Sequence, residues 1–298
     1  MNQFGRDLRC AFRGLAREPG FAALAILTLA VPGLVVGSLL CGSGLYGGLW
    51  IIGQPFTFGS ALLVATIVAA TDPVGVISLL RATRAPRRLA VLMEGESLLN
   101  DGVAVVAFAV VLVALGLDPI QSQITAPWLL RFVAWEILGA VLLGGGLGFF
   151  MAWLTTKVDD HLIEITLTTI GAFGSFLVAQ KVHSSGVIAC LVAGMLAGNF
   201  GAKYGMSAST RVAVISFWDY AVFVANSIVF LLIGLDVNPV HLLRDWAAIL
   251  IVWVAMMIAR AFFVYLTLPQ IARLEGGIPK GFGTVVVWGG IRGGIAMV

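Results

Sequence analysis

The sequence predicts an all-α, polytopic membrane protein, and three observations carry that expectation. Of 298 residues, 60% are hydrophobic and only 11% charged, where soluble domains carry about a quarter charged residues. The mean hydropathy is +1.02, which places the chain in the membrane class before any motif is read. The apolar residues also fall into runs of about 20 or more, the length that crosses a bilayer as a helix. Nine such runs can be drawn, at roughly 21–50, 57–80, 89–116, 127–156, 162–182, 184–200, 211–236, 242–270 and 279–298.

Each run has its own character. The first follows a basic lead-in, and no cleavable signal peptide is expected, because the apolar run is long and lacks a small-residue cleavage pattern. The second is interrupted by Thr71-Asp72-Pro73. Proline removes a backbone donor and disfavours a helical residue before it, so the chain is expected to unwind around Thr71 and Asp72. Exposed carbonyls, a hydroxyl and a carboxylate together suit a hard cation, which prefers oxygen ligands. The fourth run carries Glu136 and a Gly-rich GGGLG at Gly144–Gly148. That stretch lies mid-span with no strand before it, so it reads as a packing face and not a phosphate loop. The sixth, SSGVIACLVAGMLAGN, is rich in small residues and should pack closely. Asp219 and Asp236 are expected to begin and end the seventh span in solvated or capping roles. The eighth holds Arg260. The ninth, WGGIRGGIAMV, sets Arg292 among glycines, and a membrane helix can break there if the freed backbone is buried or lines a cavity.

Basic residues set the expected orientation. One side collects Arg6, Arg9, Arg13, Arg17, Arg81, Arg84, Arg87, Arg88, Lys157, Lys203, Arg211, Arg273 and Lys280, which is 13 of the 18. The other has Arg131, Lys181 and Arg244, while Arg260 and Arg292 fall inside spans. A cytoplasmic N-terminus and a multi-pass bacterial inner-membrane location follow as expectations. Cys10, Cys41 and Cys190 have no paired spacing, so they read as packing residues and not as a disulfide framework or a metal site. His161, His183 and His241 lie near span ends with no metal-ligand spacing.

The third run opens on EGESLLND, Glu94 to Asp101. An ionisable residue at membrane depth is costly and usually pairs or lines a polar path. At about 100° per residue, Ser97 and Asp101 lie about 40° apart, with Asn100 about 60° to the other side of Ser97. These three form one polar face able to offer oxygens to a cation. Glu96 points about 140° from Asp101, so the two acids should not share a site. Glu96 needs another partner, and an intramembrane arginine is the economical one. Arg292 could neutralise it, or could offset the helix-end dipoles of a broken span.

ATDPVGVISLL, EGESLLNDGVAVVAF, HSSGVIACLVAGMLAG, FWDYAVFVANSIVFLLIGLDV and WGGIRGGIAMV occur in that order. Together they resemble bacterial sodium/proton antiporters of the monovalent cation:proton antiporter-1 type, relatives of the sodium/hydrogen exchangers, from about Val31 to Val298. The resemblance implies two inverted repeats with broken helices crossing at the membrane midplane. It implies that Asp101 binds the ion, that Ser97 and Thr71 add Na+ ligands, and that Asp72 and Asn100 hold the site together. Glu96 would pair with Arg292. The Asn-Asp pair is associated with electroneutral exchange, and homodimers are the norm. No cofactor is implied, since Na+ or another monovalent cation and protons are the transported substrates; no nucleic-acid partner is expected.

The resemblance also implies about thirteen spans in a full family member, with the first three and the last outside this chain. Residues 1–30 resemble instead the start of macrolide-exporter-type ABC permeases. The expected organisation is therefore a permease-like lead-in over 1–30 and a partial exchanger domain over 31–298. An inactive truncated or hybrid fragment is the alternative. An ABC permease would need a large periplasmic domain after its first span. An aspartyl dyad of Asp72 and Asp101 would need two carboxylates sharing a proton, yet each has its own polar company. A Ser97–His183 nucleophile and base is the other enzyme reading, and the chain is not expected to be an enzyme.

Overall fold

The computed structural model describes residues 19–70, 87–117, 125–274 and 281–289. Among them all regular structure is helical: α1 (Pro19–Ile51), α2 (Phe58–Ala69), α3 (Arg87–Ala114), α4 (Ala126–Thr155), α5 (His161–Lys181), α6 (Gly186–Leu196), a π-helical segment (Ala197–Gly205), α7 (Ala208–Asp236), α8 (Pro239–Arg244), α9 (Trp246–Leu274) and α10 (Phe282–Trp288). Six stretches are long and apolar enough to cross a membrane: Pro32–Ile51, Gly95–Ala114, Pro127–Thr155, His161–Lys181, Ala208–Asp236 and Trp246–Pro269. The protein is thus a multi-pass membrane protein. The runs 57–80 and 184–200 are represented by shorter apolar helices, and 279–298 by α10, with residues 290–298 outside the described residues. Large apolar side chains such as Leu235, Phe223 and Trp50 stand exposed, as expected where the surroundings are lipid and not water.

The chain divides into two compact units, 1–101 with 245–296 and 102–244 with the last two residues. In the first, α9 packs along α1, and α2 and α10 pack on these. Leu45, Leu49 and Ala61 form one buried layer, and Cys41, Ala65, Met256 and Ala259 the next. Close approach depends on absent side chains: a Cβ on Gly48 would stand 2.5 Å from Ile251 Cγ2, and one on Gly44 3.1 Å from Ala255 Cβ. Without a hydrophobic drive between helices in lipid, such small-residue contacts supply van der Waals association. Helix α2 starts on Thr57, whose hydroxyl accepts from the Ser60 N–H at 3.1 Å, and stops at Ala69. Ala70 is already out of helix, with ψ 136°. The next residues, Thr71, Asp72 and Pro73, lie outside the described residues.

In the second unit, α4, α5 and α6 pack together and α7 packs on α5. Ala140, Ala179 and Ala189 form a buried alanine core. The GGGLG stretch is a packing face as expected: Gly144 lies against the Ala189 backbone, and a Cβ on Gly148 would sit 2.7 Å from Ala193 Cα. Side chains fix the helix starts. Asp160 Oδ1 accepts from the N–H groups of Leu162 (2.8 Å) and Ile163 (3.2 Å), and Ser185 and Ser207 cap α6 and α7. The Trp218 indole donates to Thr168 Oγ1 at 3.1 Å, joining α7 to α5. One boundary differs from the sequence reading. Because Ser207 starts α7 at Ala208, Asp219 lies well inside the helix and does not begin it, whereas Asp236 does close it.

Candidate ion-binding site

Helix α3 brings four polar side chains to membrane depth. Glu96, Ser97 and Asn100 are buried, and Asp101 is half-buried. A buried carboxylate must be neutralised or hydrogen-bonded. Arg260 of α9 does both for Glu96. Its Nη1 donates to Glu96 Oε1 at 2.9 Å and its Nη2 to Oε2 at 3.3 Å. This two-point fork is the strongest geometry available to a carboxylate and a guanidinium. The same arginine donates from Nε (3.1 Å) and Nη2 (2.9 Å) to the Val286 carbonyl near the end of α10. The last carbonyls of a helix lack intrahelical partners and carry its negative dipole end. Arg260 therefore satisfies a buried acid and a helix terminus together. Gly289 closes α10 against α3, where a Cβ would be 3.2 Å from Met93 Sδ.

The expected intramembrane arginine on Glu96 is Arg260 among the described residues. Arg292, named for that role from the family resemblance, lies outside them, as do Thr71 and Asp72. Hydropathy and spacing alone do not distinguish the two arginines. Asn100 also turns differently from the sequence reading, which grouped it with Ser97 and Asp101. Its Nδ2 donates to Glu96 Oε1 at 3.4 Å. The reason is angular: Glu96 and Asn100, four residues apart, differ by only about 40°, whereas Asn100 and Asp101 differ by about 100°. Asn100 thus stands between the anchored face and the Asp101 face. A cavity of about 40 Å³ lies beside this anchor, lined by Ser38, Cys41, Glu96, Asn100, Met256 and Arg260 among others. It has room for water, and the buried Ser38 hydroxyl has no hydrogen-bond partner among the described residues.

The other candidates belong to the second unit. Glu136 is half-buried in α4, and its backbone carbonyl accepts from the Ser185 N–H at 3.2 Å. His183 adopts φ 54° in the α5–α6 turn, the left-handed region that few residues other than glycine enter. Among the described residues no cluster of His, Cys, Asp or Glu could hold a resident metal. The sequence reading passed over one acid. Glu164, three residues inside α5, is completely buried. Its only signal was a lone glutamate in the otherwise apolar HLIEITL.

The family model for the transmembrane sodium/hydrogen exchanger matches residues 11–298, beginning inside the stretch read as a permease-like lead-in. The Na(+)/H(+) antiporter ApNhaP of Aphanothece halophytica is 40% identical over 276 residues, covering 91% of this chain and 51% of that protein. The Na(+)/H(+) antiporter NhaG of Bacillus atrophaeus is 35% identical over 269 residues, covering 89% of this chain and 49% of that protein. The chain therefore spans about half the length of the curated relatives it matches. Among solved structures, the sodium proton antiporter MjNhaP1 of Methanocaldococcus jannaschii superposes with a TM-score of 0.78 at 21% identity, over 96% of this chain and 66% of that one. At that identity the likeness is one of fold.

Proposed function

The chain belongs to the transmembrane sodium/hydrogen exchanger family, and from that premise we propose that it exchanges a monovalent cation, Na+, for protons through Asp101. The observation that carries the reading is the division of labour on α3. Arg260 is committed to Glu96 and to the α10 carbonyl, while Asp101 stands on another face of the same membrane helix, half-buried. Glu96 anchors the helix, and Asp101 is the acid to which this reading gives the cargo. Relatives named Na(+)/H(+) antiporters support the choice of substrate.

The proposed chemistry is competition at one carboxylate. Asp101 holds a proton or a Na+ ion, and either compensates its charge for passage through the bilayer, where a bare carboxylate is costly. Ser97 and Thr71 supply further oxygens to Na+, Asp72 and Asn100 order the site, and the one-for-one exchange is electroneutral. The excess of Lys and Arg in one set of loops favours a cytoplasmic N-terminus in a bacterial inner membrane, and a homodimer is the expected assembly. The alternative is a family fragment without transport, which the relatives named Na(+)/H(+) antiporters do not favour.

Everted vesicles from an antiporter-deficient host decide between the two readings. Addition of Na+ should collapse a respiration-driven pH gradient in vesicles carrying the chain, and Asp101→Asn should abolish the collapse at equal membrane abundance. A silent wild-type protein, shown to be in the membrane, would favour the inert fragment. Full activity in Asp101→Asn would remove Asp101 from the mechanism.

A further inference from the structure

One buried acid has no place in the exchange chemistry. Glu164 is 0% exposed, and neither carboxylate oxygen has a hydrogen-bond partner among the described residues. A first-turn acid ordinarily accepts from the free N–H groups of its helix start. Here those of Leu162 and Ile163 go to Asp160. Donors at the start of α7 also go elsewhere: Asp159 Oδ1 accepts from the Ser207 N–H at 3.4 Å and from Thr210 Oγ1 at 3.1 Å. The elements packed on α5 bring Glu136 and, just past its end, Lys157 from α4, Cys190 from α6, and Arg211 and Asp219 from α7. Helix α5 itself starts on Asp159, Asp160 and His161 and ends on Lys181. None of these groups hydrogen-bonds to Glu164.

A carboxylate anion so enclosed is far costlier than the neutral acid. We propose that Glu164 is a second proton-binding group of this chain, holding its proton in this conformation and releasing it to water only when the Asp159–Ser207–Thr210 junction of α5 with α7 opens. The ligand is a proton, and the switch is that junction. Release transfers the proton from the Glu164 carboxyl to an entering water and leaves a hydrated carboxylate. Ionisation and opening are therefore one linked event, and pH sets how often the α5 end separates from α7.

The test reads protonation directly and does not depend on transport. The purified full chain and Glu164→Gln, both in lipid nanodiscs, are compared by infrared spectroscopy. The wild type should show a carboxylic-acid carbonyl band, missing in the variant, that persists at least about two pH units above the ordinary glutamate value of about 4.3. Hydrogen exchange at Leu162, Ile163, Ser207 and Thr210, corrected for intrinsic rates, should accelerate about tenfold as that band disappears, and stay flat in the variant. Absence of the band already at about pH 6 would overturn the proposal. Loss of the band while those amides stay protected would overturn the coupling to the junction. If Glu164→Gln does not fold, Glu164→Met, also uncharged, serves as the reference.

Discussion

Glu96 and Glu164 are both buried glutamates in membrane helices, yet their surroundings differ in kind. Glu96 is met by a two-point arginine fork and by the Asn100 amide. Glu164 has no hydrogen-bond partner among the described residues. The first sits in a unit pinned by charge, the second in one closed by small-residue packing and helix caps. A membrane helix can carry an acid by either route, through a partner of opposite charge or through a proton, and the two routes have different consequences. A paired acid is an anchor and holds its position. A protonated one is conditional on pH.

The contrast can be broken most sharply at Arg260. Arg260→Ala should cost about 3–5 kcal/mol, because it leaves Glu96 as a buried, uncompensated charge. The fall in detergent-solubilised thermal unfolding midpoint measures it. Replacing both partners by methionine should recover much of that loss, since a buried ion pair stabilises little relative to apolar side chains of similar volume. In the second unit the vulnerable point is packing. Gly148→Val should cost about 1–3 kcal/mol by forcing α4 from α6 at Ala193, in the same assay.

Asp159 offers a smaller, pH-dependent test. Hydrogen bonds from Ser207 and Thr210 hold its carboxyl below the ordinary value of 3.8. A group with a lowered folded-state pKa contributes stability above its unfolded value and loses it as pH falls through the folded one. The gap in unfolding midpoint between wild type and Asp159→Asn should therefore be constant at neutral pH and close below about pH 4. Glu164→Gln should have the least effect on stability, under about 1 kcal/mol, because it exchanges one uncharged buried group for another. A large change there would erase the distinction between the two acids.

Much of this architecture was legible in the sequence. Hydropathy located the six long apolar helices among the described residues, and the Pro and Gly interruptions marked where α2 and α10 stop. The 100° step separated Glu96 from Asp101, and GGGLG read correctly as a packing face. What escaped depends on contacts between distant segments. The Glu96 partner Arg260 is 164 residues away, and the sequence reading named Arg292 for that role from the family resemblance. Glu164 was missed because an acid in the first turn of a helix normally reads as dipole-complementing and solvated. Its burial arises from α4, α6 and α7, which no local pattern reveals. Asn100 was grouped with Ser97, about 60° away, although Glu96 is its nearer angular neighbour at about 40°.

The central claim, that Asp101 takes either Na+ or a proton, is tested most directly by calorimetric titration of the purified chain with NaCl in buffers of different ionisation enthalpy. The account predicts that each Na+ bound releases close to one proton, and that Asp101→Asn loses both the binding and the release while Glu164→Gln keeps them. Na+ binding without proton release, or unchanged release in Asp101→Asn, would contradict it.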